Sequence, residues 1–115
     1  MINIDKFKET ELRVGKIISA ERVLGSDKLV KLMVDLGEPE NRQIIAGIGK
    51  KYAPEDLIGR EIVIVANLEP RKFVIKSDSG DMTLESHGML LAASGVDGPV
   101  LLAPSNEVQP GATVG

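Results

Sequence analysis

The side chains of this sequence that could do chemistry are mostly cationic or polar, and they follow apolar runs. Asn67, Arg71 and Lys72 come directly after Ile62-Val63-Ile64-Val65-Ala66, with Pro70 fixing a turn between them. Arginine and lysine neutralise phosphate, and asparagine donates and accepts to a sugar or a base edge. An ordinary solvated loop carries the same residue types, so both readings stand on types alone. Ser86 and Met89 flank His87-Gly88. A serine hydroxyl bonds phosphate or a 2′-hydroxyl, a methionine lies against a base, and Gly88 allows close approach to the backbone. The plainer alternative makes Met89 core and Ser86 the cap of a turn. Lys31 stands mid-strand, with Lys28 in the preceding turn and Arg42 opening the next strand. Lys50 and Lys51 extend such a patch or simply balance Glu55 and Asp56.

Catalytic chemistry finds no footing here. His87 is the sole histidine and cysteine is absent, which removes the usual zinc sites and all thiolate chemistry. Ser86 and His87 are neighbours on an extended segment and face opposite ways, so they make no oriented nucleophile–base pair. The acids show no ligand spacing, and no phosphate-binding glycine loop is present. No catalytic residue, metal or cofactor is expected.

The elements that must position these groups are short β-rich runs separated by turn residues. The first strand covers 12–20, with a phase slip at Ile17-Ile18 that predicts a bulge or bend. Gly25-Ser26-Asp27-Lys28 is a turn. In the second strand, 29–36, Val30, Leu32, Val34 and Leu36 share the core face, and Leu29, Lys31, Met33 and Asp35 share the other. A third strand runs over 42–48. Pro54 at a first helical turn, acids beside it and Gly59 at the stop predict a short helix. The almost wholly apolar run 62–66 is the most buried strand, left through a polar, basic loop over 67–72. Ser77-Asp78-Ser79-Gly80-Asp81 between two strand-like runs predicts a hairpin. Residues 88–93 read as another buried strand, and 100–103 follow a turn. Three strands, a short helix and two more strands fit an all-β, five-stranded Greek-key OB barrel. The apolar runs beyond the fifth strand predict a C-terminal extension packed on it.

Bulk properties narrow the function. The 115 residues suit one domain, 1–115, and 43% hydrophobic residues supply one core. A net charge of −3 argues against coating nucleic acid through bulk charge, although a local basic face is compatible with it. With Phe7, Tyr52 and Phe73 as the only aromatics, generic stacking on single strands is not expected. No apolar run is long enough for a membrane helix. The first residues lack the basic-then-apolar order of a signal peptide, so a cytoplasmic location is the default and no membrane is expected.

The order of segments resembles the tRNA-binding domain family. Glu11-Leu12-Arg13-Val14-Gly15 is similar to its opening strand. Gly25-Ser26-Asp27-Lys28-Leu29, Val34-Asp35-Leu36-Gly37 and Arg42-Gln43-Ile44-Ile45-Ala46-Gly47-Ile48 are similar to the segments after it. Val65-Ala66-Asn67-Leu68-Glu69-Pro70-Arg71-Lys72 and Glu85-Ser86-His87-Gly88-Met89-Leu90-Leu91-Ala92-Ala93 are the most specific pieces. The link over 73–84 is longer than is usual in the family and supplies its own hairpin. The resemblance implies an OB fold that binds structured tRNA with little sequence preference, as the C-terminal domain or beta subunit of methionyl-tRNA synthetase or as a free protein. It also implies a homodimer built partly from the chain termini, with the catalytic part of the synthetase as partner. Carried over residue by residue, it puts Asn67, Arg71, Lys72, Ser86 and Met89 at the tRNA; the face of strands two and three, where OB domains receive ligand, adds Lys31 and Arg42, with Lys28, Lys50 and Lys51 as an extension of the patch.

Two other functions fit the same fold. One is a secretion-related chaperone that binds unfolded peptide, whose opening strand is similar. The Asn67 to Lys72 segment sets this chain on the tRNA side of that division. The other is a cytokine-like module, whose animal-type extension is not found in this sequence.

Overall fold

A computed structural model describes residues 1–115. A short helix, α1 (Ile4–Lys8), opens the chain, with the Asn3 side chain accepting from the Lys6 amide at its N-cap. Then come β1 (Leu12–Arg22), β2 (Val30–Asp35) and β3 (Arg42–Ala46). A single 3-10 turn, Pro54–Asp56, separates them from β4 (Glu61–Val65). The hairpin β5 (Arg71–Ile75) and β6 (Met82–Ser86) follows, then the two-residue β7 (Met89–Leu90). A second hairpin, β8 (Ala92–Gly95) and β9 (Gly98–Leu101), and a last short strand, β10 (Thr113–Val114), complete the chain.

The barrel is built by one strand that serves two neighbours. The first half of β1 pairs with β4, from Leu12 opposite Val65 to Lys16 opposite Glu61. Its second half pairs with β2, and the register shifts between Ile17 and Ser19. That is the bulge expected at the phase slip, and it bends β1 around the core. Gly15 permits the bend: a Cβ there would run into the Val34 and Leu36 side chains. The sheet order is β3-β2-β1-β4-β7, and closure comes where the β6–β7 corner meets β3. The His87 amide donates to the Gln43 carbonyl at 2.9 Å, and Gln43 Nε2 donates to the Glu85 carbonyl at 3.0 Å. The result is the nearly closed five-stranded OB barrel, with the C-terminal extension laid outside it.

Alternation fills the inside. Val30, Leu32, Val34 and Leu36 of the β2 segment join Ile17, Ile44, Ile62 and Ile64 in one fully buried cluster. Leu57 plugs one end, held by the 3-10 turn, and its burial alone contributes about 1.5–3 kcal/mol. The short helix expected there is this one turn, whose acids Glu55 and Asp56 lie at its start.

A second, smaller core lies outside the barrel. Val23, Leu29, Ile45 and Ile75 pack together with Phe73 and Leu84 against them. The β5–β6 hairpin therefore lies on the outer face of β2 and β3. This accounts for Leu29, which alternation turns away from the main core and which is nevertheless only 9% exposed.

Two expectations need correction, and one element was not foreseen. Residues 67–72 are not all loop, because Arg71 and Lys72 already pair in β5, opposite Ser86 and Glu85. Residues 88–93 are not one buried strand. Gly88, at φ +144°, turns the chain, β4 offers β7 only Ile64 and Val65 as partners, and Ala92 and Ala93 leave to form the exposed second hairpin. The N-terminal helix was not expected at all, and Ile2, Ile4 and Phe7 on and beside it are exposed. The chain end closes back on β1, where Gly111 donates to the Val14 carbonyl at 2.7 Å and Val14 to that of Ala112 at 2.8 Å. No helix is long and apolar enough to cross a membrane.

Candidate nucleic-acid interface

The groove that the fold leaves open lies between the Gly25–Lys28 turn, the end of β3 and the start of the β5–β6 hairpin. It encloses about 390 Å³, and its lining includes Lys28, Gly47, Arg71, Phe73, Met89 and Leu90. No acid lines it. Ser26 fixes one side: its hydroxyl accepts from the amides of Lys28 and Leu29 at 3.4 and 3.1 Å. The β5–β6 register fixes the other side. Arg71 and Phe73 are two apart on one strand, so they share a face, and the Arg71 guanidinium sits 4.6 Å from the Phe73 ring centre. Arg71, Lys72 and Lys28 are exposed and make no ion pair. Met89, 48% exposed, forms part of the wall.

The groove brings together Lys28, Arg71 and Met89, which the sequence had singled out in three separate segments. Phe73, the ring beneath Arg71, was read only as a hairpin residue. Its i,i+2 spacing from Arg71 on an alternating run was the available signal.

The other singled-out residues are committed within the fold. Arg42 holds Glu38 through Nε and Nη2 at 2.8 and 2.9 Å. Its Nη1 donates to the carbonyls of Ala66 and His87 at 2.6 and 3.2 Å. That hydrogen bonding holds the Glu38 carboxyl below its ordinary pKa and raises that of Arg42. Asn67 is a clasp for the N-terminal segment: Oδ1 accepts from the Glu11 amide at 2.8 Å and Nδ2 donates to the Glu9 carbonyl at 2.7 Å. Ser86 is 3% exposed, accepts from the Ile45 amide at 2.9 Å and donates to the Gly88 carbonyl at 3.0 Å. It ties β3 to the corner that closes the barrel. Its exposed neighbour His87 approaches Glu85 at 3.7 Å and faces away.

The remaining lysines are dispersed. Lys31 pairs with Glu21 at 2.6 Å, near the Met82 and Leu84 end of the hairpin. Lys50 pairs with Asp27 at 3.5 Å, and Lys51 lies 5.7 Å from the Tyr52 ring. A larger hollow of about 790 Å³ lies beside Arg42, but Glu38 and Glu40 line it. Two carboxylates make it a poor place for a polyanion.

Comparisons with known proteins bear on the family and the fold. The family model described as "Putative tRNA binding domain" matches residues 12–113. The chain is 51% identical over 111 residues to the Methionine--tRNA ligase of Methanothrix thermoacetophila, covering 96% of this chain and 15% of that protein. It therefore spans only about a seventh of the length of such relatives. Among solved structures, it superposes on a MetRS related protein from Pyrococcus horikoshii with TM-score 0.82 and 36% identity, covering 99% of this chain and 97% of that one. The chaperone CsaA of Bacillus anthracis superposes with TM-score 0.81 and 32% identity, covering 100% and 99%. Matched over nearly all of its length by sequence and by fold, the chain belongs to the tRNA-binding domain family.

Proposed function

We propose that this chain binds tRNA, largely without reading its sequence, and holds it for methionyl-tRNA synthetase. It would serve as a part or partner of that enzyme and contribute no catalytic group of its own. The observation that carries this reading is the acid-free groove lined by Arg71 and Lys28, with Lys72 next to Arg71 on β5. A chain of net charge −3 presents two unpaired cations together, with Lys72 adjacent in sequence, at the place where an OB fold takes its ligand. Phosphates would meet Arg71, Lys72 and Lys28, and a sugar or base would meet Met89. Ser86, committed within the fold, would hold Ile45 beside the groove, whereas Arg42 and Asn67 would support the barrel away from it. Lys31, Lys50 and Lys51 would add long-range attraction rather than direct contacts. Holding tRNA beside a catalytic partner raises its local concentration and can raise apparent affinity by orders of magnitude.

The exposed Ile2, Ile4 and Phe7, and the exposed Val100 and Leu102 of the extension, are the basis for a homodimer in this proposal. Light scattering at micromolar concentration should give twice the chain mass, and a monomeric mass would remove the dimer from it.

The likeness to a chaperone structure supports a second reading, in which the apolar part of the groove takes unfolded peptide. Measuring binding of mixed tRNA and of an unfolded peptide at two salt concentrations separates the two. The proposal requires tighter, strongly salt-dependent binding of tRNA. Peptide binding with no affinity for tRNA would replace it with the chaperone reading.

A further inference from the structure

We infer that the groove is a seat for one unstacked nucleobase, with the flanking phosphates on Arg71 and Lys28. The inference rests on the tRNA-binding reading and goes beyond it, because phosphate contacts alone need only a basic surface. Three observations carry it. First, the groove is walled by Phe73, Met89 and Leu90 and yet rimmed by two unpaired cations, with no acid among its lining residues. That combination matches a base joined to phosphates better than a duplex, which offers its backbone and hides the faces of its bases. Second, Gly47, the exposed residue after β3, lines the groove, and neither its amide nor its carbonyl has a hydrogen-bond partner within the chain. A donor and an acceptor side by side suit the edge of a base. Third, a Cβ on Gly47 would meet nothing within 4 Å, and Gly47 is not among the positive-φ glycines. Neither backbone strain nor a packing neighbour requires glycine there, whereas an open floor for a ligand does. One seat of this kind is compatible with a chain that has only three aromatic residues.

The test fills the seat without touching the cations. Gly47→Leu puts a side chain into open space, Gly47→Ala is its small control, and Met89→Ala removes a wall instead of filling the groove. Each variant, checked for fold by circular dichroism, is titrated with mixed tRNA, with tRNA trimmed of its single-stranded 3′ end, with a blunt RNA duplex and with an unfolded peptide. The expected result is a roughly ten-fold loss of tRNA affinity in Gly47→Leu, with the salt dependence kept, duplex binding unchanged and Gly47→Ala like wild type. Met89→Ala should lose less, in the same direction. If trimming weakens wild type to the level of Gly47→Leu, the base comes from the 3′ end; if trimming has no effect, it comes from a loop, and either result supports the seat. Wild-type affinity for tRNA in both Gly47→Leu and Met89→Ala would overturn it while leaving tRNA binding intact, as would equal losses on tRNA and duplex. Peptide binding lost in Gly47→Leu with tRNA unaffected would give the groove to peptide. Absence of tRNA binding in wild type would remove the reading on which the seat rests.

Discussion

Arg71→Ala is the perturbation whose consequences follow most directly from the geometry. The guanidinium is exposed, free of any acid and laid against the Phe73 ring at 4.6 Å. In the unbound chain its removal costs only an exposed cation–π contact, about 0.5–1 kcal/mol, so the barrel stays folded. In the complex it removes a charge-assisted contact that alanine cannot replace, on the order of 1.5–3 kcal/mol, or roughly ten- to a hundred-fold in affinity. Because Phe73 already orders the side chain, little of that gain is spent on immobilising it. The assay is equilibrium binding of several purified tRNAs over a series of salt concentrations. The loss should be similar for all of them, and the log–log salt slope should become shallower by somewhat under one unit. Arg71→Lys should keep the slope and recover only part of the affinity, since it keeps the charge and loses the two-donor geometry. Exposed Glu55→Ala is the control. Glu61 is unsuitable, because it accepts from the Val108 amide at 2.9 Å and its other oxygen is buried without a partner. Unchanged affinity in a folded Arg71→Ala would refute the placement of tRNA at this rim. A loss confined to one tRNA would mean base readout and contradict sequence-tolerant binding.

Deleting the exposed tip from Ser77 to Asp81 and rejoining the hairpin with a short turn should leave the thermal transition in place. Ile75→Ala, buried in the second core at the tip end of the same ladder, should destabilise by about 2 kcal/mol; comparable melting curves for the two would contradict the second core. Asn67→Ala should cost about 1 kcal/mol and speed hydrogen exchange at the Glu11 amide, which loses its acceptor; unchanged exchange there would show that the clasp does not hold the N-terminal segment. The Glu38 carboxyl has a folded pKa below its ordinary value because Arg42 hydrogen-bonds it. Its contribution to stability is therefore present above the unfolded pKa and is lost as pH falls through the folded one. Glu38→Gln should flatten that acid limb of a stability-against-pH profile, and identical limbs would contradict the pairing.

The barrel was largely legible because its signals are local. Alternation in 29–36 named the four core residues of the β2 segment, and the phase slip at Ile17-Ile18 marked the bulge that bends β1. The polar run 77–81 marked its hairpin. What stayed hidden depended on contacts far apart in sequence. Nothing near Leu29 announces that Ile75 covers it, and nothing near Asn67 shows that its amide is taken by Glu9 and Glu11. Arg42 and Ser86 have the residue types of a phosphate site, but barrel closure draws them into internal hydrogen bonds. The run 88–93 misled because it is split in space: Met89 and Leu90 pair with β4, whereas Ala92 and Ala93 serve an exposed arm. Of the groove's residues, Lys28, Arg71 and Met89 had been singled out in the sequence, whereas Phe73 and Gly47 acquire meaning only once the groove exists.

The central claim is that tRNA lies on the groove between the Gly25–Lys28 turn and the β5–β6 hairpin. The most direct measurement is an amide NMR titration of the 15N-labelled chain with tRNA. Shifts and broadening should concentrate at Lys28, Gly47, Arg71, Lys72 and Met89, and the amides around Glu38 and Glu40 should stay in place. Changes centred on that acidic hollow, or on the Lys31–Glu21 pair, with the groove amides unmoved, would contradict the account.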